Sequence, residues 1–248
     1  MHKKRGYKRD TPIELVRDYK LFAIACEGGK REPEYFKTLE YLSRKIKVDI
    51  IEEKVTDEEL IPKLGTKSAP KWVLQRVVTY IEQEGLIDED QLWIVMDVDR
   101  WKKEQLREIA MYCDQHPNWH IVLSNPCFEV WLYFHKKGNI KDSGSMSCND
   151  FKNEISKLEK GGYHPFKFIS SLSDAIKNAK AADSDIKHFI PNEKETKIYQ
   201  LGESILKVVG KNEFNEFLSK TLPSLIQAEA DKIKQFSKNR GKKPSANN

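Results

Sequence analysis

Asp97-Val98-Asp99 closes the apolar run Leu92-Trp93-Ile94-Val95-Met96. Five apolar residues in succession read as a buried strand. Two carboxylates at i and i+2 of a strand point to the same face. Like charges held that close repel unless something positive sits between them. For all-oxygen ligands the usual solution is Mg²⁺ or Mn²⁺. The plainer reading is a strand end with solvated turn aspartates. A second acidic position weighs against it. The run Leu21-Phe22-Ala23-Ile24-Ala25-Cys26 is another strand candidate, and it ends in Glu27-Gly28-Gly29-Lys30. Taken alone, Glu27 reads as a local charge near a helix start, partnered by Lys30 or Arg31. Taken with the aspartates, it occupies the equivalent position on a second strand.

Placing these groups together requires a particular order of elements. The pattern predicts strands at 19–26, 48–55, 91–97 and 120–124. Helices are predicted at 33–47, 70–84, 103–115 and 126–135, where apolar residues recur at helical spacing. Pro70 suits a first helical turn, and Gly85 follows the last. The stretch from Asp57 to Ala69 reads as a loop. Strands alternating with helices predict a mostly parallel α/β sheet with right-handed crossovers. Strands one, three and four then end at one edge, where ligand sites of open α/β sheets gather. Glu27, Asp97, Asp99, Asn125 and Glu129 would all lie there. From Lys136 to Ser147 the chain turns glycine- and serine-rich, as a linker or exposed loop would. Beyond it helices are predicted at 149–160, 171–182, 193–209, 212–219 and 222–237, without a convincing strand. The expected organisation is a basic flexible arm at 1–18, an α/β domain at 19–136, a helical region at 137–240 and a flexible tail at 241–248.

Composition sets bounds on this. The 248 residues are 39% apolar and 33% charged, with a formal net charge of +5. That balance permits nucleic-acid binding without demanding it. Much of the positive charge is terminal, in His2-Lys3-Lys4-Arg5 and Lys238-Asn239-Arg240-Gly241-Lys242-Lys243. Neither end carries the apolar segment of a signal peptide, and no apolar run approaches membrane-spanning length. The four cysteines, Cys26, Cys113, Cys127 and Cys148, lack zinc spacing. Cys26 and Cys127, within apolar runs, are expected as buried thiols in a reducing cytoplasm. His164 and His188 also lack metal-ligand spacing, so zinc is not expected.

Three segments together carry a resemblance. They are Cys26-Glu27-Gly28-Gly29-Lys30-Arg31-Glu32-Pro33-Glu34-Tyr35-Phe36, Asp97-Val98-Asp99-Arg100, and Ser124-Asn125-Pro126-Cys127-Phe128-Glu129-Val130-Trp131-Leu132 with His135. In combination they resemble the RloB-like family of the Toprim superfamily. The shared mark of that superfamily is a glutamate after the first strand and a DxD after the third, binding Mg²⁺. The resemblance implies a Toprim-like Rossmannoid parallel sheet flanked by helices, with a helical C-terminal region. It also implies a setting in prokaryotic defence beside an ABC- or AAA-type ATPase. One position departs from the family's CEGxxTE pattern: residue 31 is Arg where Thr is expected. The helical part carries a weaker resemblance, around Leu172 to Ala179. Toprim topoisomerases use a nucleophilic tyrosine, and none of the nine here is nominated by its surroundings.

The activity implied is metal-dependent cleavage of phosphodiester bonds, with Glu27, Asp97 and Asp99 as ligands of Mg²⁺ or Mn²⁺. Glu129, one helical turn after Asn125-Pro126, reads as a further catalytic carboxylate, completing a second metal site or acting as general base. It reads equally as a helix-start carboxylate favoured by the macrodipole. Lys30, Arg31, Arg100, Lys102 and Lys103 flank the acidic set and suit phosphate contacts. Each alone is a solvated surface charge. Asn125 either touches a phosphate or holds the sheet edge. His135 reads as a cap or packing residue, and Phe128 and Trp131 as core. The rival to a nuclease is an inactive Toprim-fold adaptor that binds the ATPase or nucleic acid. Nucleotidyl transfer of the primase kind would need accessory domains. DNA, RNA or tRNA as substrate, and self-association, stay open.

Overall fold

The computed structural model describes residues 18–52, 69–159 and 162–240. The expected N-terminal arm, the loop before Pro70, the end of the predicted second strand and the C-terminal tail lie wholly or largely outside these residues. Among the described residues, four strands form one parallel sheet in the order β2-β1-β3-β4. The strands are β1 (Lys20–Cys26), β2 (Ile46–Ile50), β3 (Gln91–Asp97) and β4 (Trp119–Ser124). This is the α/β architecture expected, with helices on both faces and a helical C-terminal part. Register pairs Cys26 with Val95 and Asp97 with Ser124, so β1, β3 and β4 end together. The chain steps from β1 to β2 on one side and then crosses to β3 on the other. β1 and β3 therefore flank the point where strand order reverses, the preferred ligand position in such sheets.

Strand alternation sends side chains to two separate cores. Phe22, Ile24, Trp93, Val95 and Val122 join one core, with the helices α1 (Arg31–Lys37) and α4 (Glu129–Phe134). Ala23, Ala25, Leu92, Ile94 and Met96 join the other, under α2 (Pro70–Glu84) and α3 (Lys103–Cys113). The later helices are α5 (Cys148–Leu158), α6 (Pro165–Ile169), α7 (Leu172–Ala182), α8 (Tyr199–Val209), α9 (Lys211–Glu216) and α10 (Leu222–Arg240). Their apolar faces enter the first core, with Phe151, Ile155, Phe168, Leu172 and Ile205 fully buried. The stripe Ile198, Leu201, Ile205 and Val209 is buried throughout. Helices α7 and α8 pack closely at Gly202, where a Cβ would meet the Ile176 side chain at 2.9 Å.

Several element boundaries differ from the expectation. The first helix ends at Lys37 and tightens into a 3₁₀ turn over Thr38–Leu42. Ile46, on the predicted helical stripe, instead opens β2 opposite Lys20. The helix predicted from Pro126 begins at Glu129, because the Pro126 carbonyl accepts the Asp99 amide at 3.2 Å. The helix predicted from 193 begins at Tyr199, because Thr196 forms an antiparallel bridge to Ser124 at the end of β4. The stretch 136–147 holds a 3₁₀ turn at Ile140–Asp142, and Ser143 and Ser145 within it are buried. The short α6 has no counterpart in the sequence reading.

Candidate active site at the carboxyl edge of the sheet

Glu27 follows β1 directly, and its own amide donates to the Val95 carbonyl of β3 at 3.0 Å. That bond holds Glu27 beside the end of β3. Its carboxylate then accepts the Asp97 amide at 3.0 Å. The DxD segment is tied in turn to β4: the Val98 amide donates to Ser124 O at 2.9 Å, and Asp99 to Pro126 O. Backbone bonds thus join three strand ends, and the carboxylates of Glu27, Asp97 and Asp99 line one cavity of about 780 Å³. Glu129 and Glu32 line it as well.

The electrostatics of this floor are those of crowded anions. The Asp97 carboxyl is pushed well above the usual range, first by burial and then by the charges of Glu27, Glu32 and Glu129. Glu27 is raised by burial and by Asp99, against the lowering effect of the Asp97 amide. Glu32 is raised by burial, and the charges of Glu129 and Glu27 add to it. Buried carboxylates that lift one another in a cleft make this floor a candidate functional site. The donor set is all oxygen and fits Mg²⁺ or Mn²⁺ in chemistry. As the side chains stand, no three of His, Cys, Asp or Glu among the described residues form a ready cage for an ion. The Glu27 carboxylate is turned onto the Asp97 amide instead.

The residues nominated from sequence divide into two groups. Lys30, Arg31 and Arg100 line the cavity with the carboxylates. Arg100 Nε lies 3.6 Å from Asp99 Oδ2. Arg31 Nη1 lies 2.5 Å from Glu129 Oε1. Its guanidinium sits 5.2 Å from the centre of the Tyr163 ring, whose hydroxyl donates to Arg31 O at 3.3 Å. Lys102 and Lys103, at the start of α3, are exposed and outside the cavity wall. Asn125 is also outside it: its amide donates to Glu195 O at 2.9 Å and its Nδ2 to Pro191 O at 3.0 Å. Asn125 therefore fastens the 191–195 loop to the sheet edge. His135 is buried, bonded to the Tyr35 hydroxyl at 2.9 Å and pushed down to about 3 by burial, so it stays a neutral core residue.

Sequence reasoning missed Glu32 and a whole wall. Glu32 stands in the quoted Cys26–Glu32 segment, and Gly28 makes room for it: a Cβ there would collide with the Glu32 carboxylate. The wall is α5, in the helical region beyond residue 136, where no site residue is nominated from sequence. Cys148, Lys152 and Ser156 of α5 line the cavity, at i, i+4 and i+8 on one helical face. Cys148 Sγ donates to Asp99 Oδ2 at 3.1 Å. Cys127, buried in the turn before α4, has its thiol pushed up, first by the neighbouring Cys148 thiol and then by burial. Cys26, Cys113 and Cys127 are all buried and unbridged.

The family model described as RloB-like protein matches residues 22–205, from β1 into α8. The chain belongs to the RloB-like family. The matched span of this RloB-like chain includes the α/β sheet and the helices α5, α6 and α7 as one stretch. It contains the cavity floor and the α5 wall together. No curated protein and no solved structure matches the chain.

Proposed function

We propose that this RloB-like chain is a Toprim-type, divalent-metal-dependent nuclease that cleaves phosphodiester bonds in nucleic acid. The observation that carries the reading is the gathering of Glu27, Asp97 and Asp99, with Glu32 and Glu129, on one floor at the carboxyl ends of β1 and β3. Glu27, Asp97 and Asp99 would hold the ion, and Glu32 adds a fourth carboxylate within reach of their charge. A bound Mg²⁺ or Mn²⁺ supplies a Lewis acid and an acidified water. The chain's own residues do the rest. Lys30 and Arg100 offer positive charge for the phosphate oxygens at the rim. Arg31 holds Glu129 in an ion pair, and a base role for Glu129 requires that pair to open when substrate binds. The biological setting proposed is that of the family resemblance: effector of a prokaryotic anti-phage system, in the cytoplasm, acting with an ABC- or AAA-type ATPase. No helix among the described residues is long and apolar enough to cross a membrane.

One observation favours a second reading. The carboxylates do not stand as a ready cation cage, which suits an adaptor that binds the ATPase or nucleic acid without cutting. One experiment separates the two. Purified protein, alone and with its ATPase, is incubated with labelled DNA and RNA in Mg²⁺, Mn²⁺ or EDTA. The nuclease reading expects cutting with either ion and none with EDTA. It expects Asp97→Ala to lose cutting while keeping the wild-type circular dichroism spectrum, since removing one charge from crowded anions relieves repulsion. Equal cutting by Asp97→Ala, or no cutting under any condition, would overturn it.

A further inference from the structure

We propose that Lys152 of α5 holds a phosphate of the nucleic-acid strand next to the phosphate lying over the carboxylate floor. The helical part beyond residue 136 then completes the substrate cleft. This rests on the nuclease reading for what the floor does. The argument begins with how α5 is held. Phe151 and Ile155 are fully buried and fix its inner face in the core. Ser147 caps its start and shares a reciprocal capping box with Asp150. With the helix anchored, its 148–152–156 stripe is fixed toward the cavity, and Cys148 already touches Asp99.

The second observation concerns charge. Four cationic side chains line this cavity: Lys30, Arg31, Arg100 and Lys152. The two arginines are engaged, with Glu129 and Asp99. Lys30 and Lys152 are exposed and enter no ion pair among the described residues, although six carboxylates, Glu27, Glu32, Glu34, Asp97, Asp99 and Glu129, line the same cavity. Ammonium groups that border an anionic floor without closing onto it are placed for an anion from outside the chain. Lys30 precedes α1 and Lys152 lies on α5, so the two cations belong to separate walls of the cleft. A phosphodiester strand carries evenly spaced anions and fits that arrangement: one phosphate on the floor and its neighbours on the walls. The volume of about 780 Å³ falls in the range that encloses a drug-sized molecule. It suits a short run of one strand.

The test measures binding apart from cutting. Fluorescence anisotropy of a labelled single-stranded 15-mer, DNA and RNA, is recorded with Ca²⁺ in place of Mg²⁺ across a salt series. Lys152→Glu should weaken binding about fivefold and lower the salt slope by ~0.7, the value for one lost single-strand phosphate contact. Lys152→Arg should bind within about twofold of wild type. Lys157→Glu makes the same charge change on the same helix, off the cavity stripe, and should also bind as wild type. Lys152→Gln, with a melting curve beside it, checks that any loss does not come from misfolding. Unchanged binding by Lys152→Glu overturns the proposal. So does an equal loss with Lys157→Glu, or a wild-type protein that binds neither strand. A protein that cuts normally while Lys152→Glu binds as wild type sinks this inference and leaves the nuclease reading. A protein that binds through Lys152 but never cuts does the reverse.

Discussion

Arg31 is the residue at which the family pattern expects Thr, and it is spent on an ion pair with Glu129. Glu129 is 4% exposed, so its carboxylate depends on that partner. Truncating Arg31 leaves a buried charge without compensation, while removing both charges leaves little penalty. Arg31→Ala should therefore destabilise the protein by about 1–3 kcal/mol, and Arg31→Ala with Glu129→Gln should recover most of the loss. Urea midpoints of the two variants and of Glu129→Gln alone complete the cycle. Equal stability of the single and double variants would mean that the pair is only a surface contact. The same residues mark how much of the site the sequence discloses. Glu27 and the aspartates were legible because each follows an apolar strand, and strand geometry gives their direction. The partner of Arg31 was not, because it lies 98 positions away. Asn125 was legible as a sheet-edge residue, but not its partners, which belong to a loop some 66 positions on.

At the scale of elements, α1 and α4 are locked together by Tyr35 and His135. The ring nitrogen Nε2 meets the Tyr35 hydroxyl at 2.9 Å, and Nδ1 lies 3.3 Å from Ser171 Oγ, just ahead of α7. Burial pushes His135 down to about 3, well below the ordinary value of about 6.5. Below pH 6.5 the unfolded chain takes up this proton and the folded chain does not. The contribution of His135 is therefore fully present above that pH. It falls by about 1.4 kcal/mol per pH unit as the pH drops toward 3. Glu27, Glu32 and Asp97 act in the opposite sense, because their raised values let the folded state take up protons first. The difference between wild type and His135→Gln isolates the histidine. Stability measured by urea unfolding between pH 7 and 4.5 should fall less steeply in His135→Gln. Parallel pH profiles would show that His135 titrates normally in the folded protein. Element types were readable where periodicity was strong, as in β1, β3, α2 and α3. Element ends were not, because they are decided by distant backbone partners. The Asp99 amide claims the Pro126 carbonyl, and Thr196 pairs with Ser124.

For the molecule as a whole, the expectation of a boundary near residue 136 bears on how it folds. The composition shift there is real, but composition does not report which surface a later helix covers. One apolar core runs from Phe22, Ile24 and Val95 of the sheet through Trp131 to Phe151, Phe168, Leu172 and Ile205. The sheet's other face is closed mainly by α2 and α3, with Ile190 and Phe189 from the later part of the chain packed beside them. Fully burying a large apolar side chain contributes about 1.5–3 kcal/mol. The four named residues beyond position 136 thus represent roughly 6–12 kcal/mol of burial, comparable to the ~5–15 kcal/mol net stability of a typical domain. A fragment ending at Lys136 should therefore not fold as an independent metal-binding core. Its circular dichroism should lack a cooperative melt, and it should expose apolar surface to a hydrophobic dye. The full chain should unfold in one transition seen alike by the tryptophans of the sheet, such as Trp93, and by far-ultraviolet signal from the helices. A fragment that melts cooperatively, or a full chain that melts in two steps, would show that the sheet and the later helices are separate units. A single transition would tie the acidic floor and the α5 wall to one folding event, since the cleft between them exists only when both have formed.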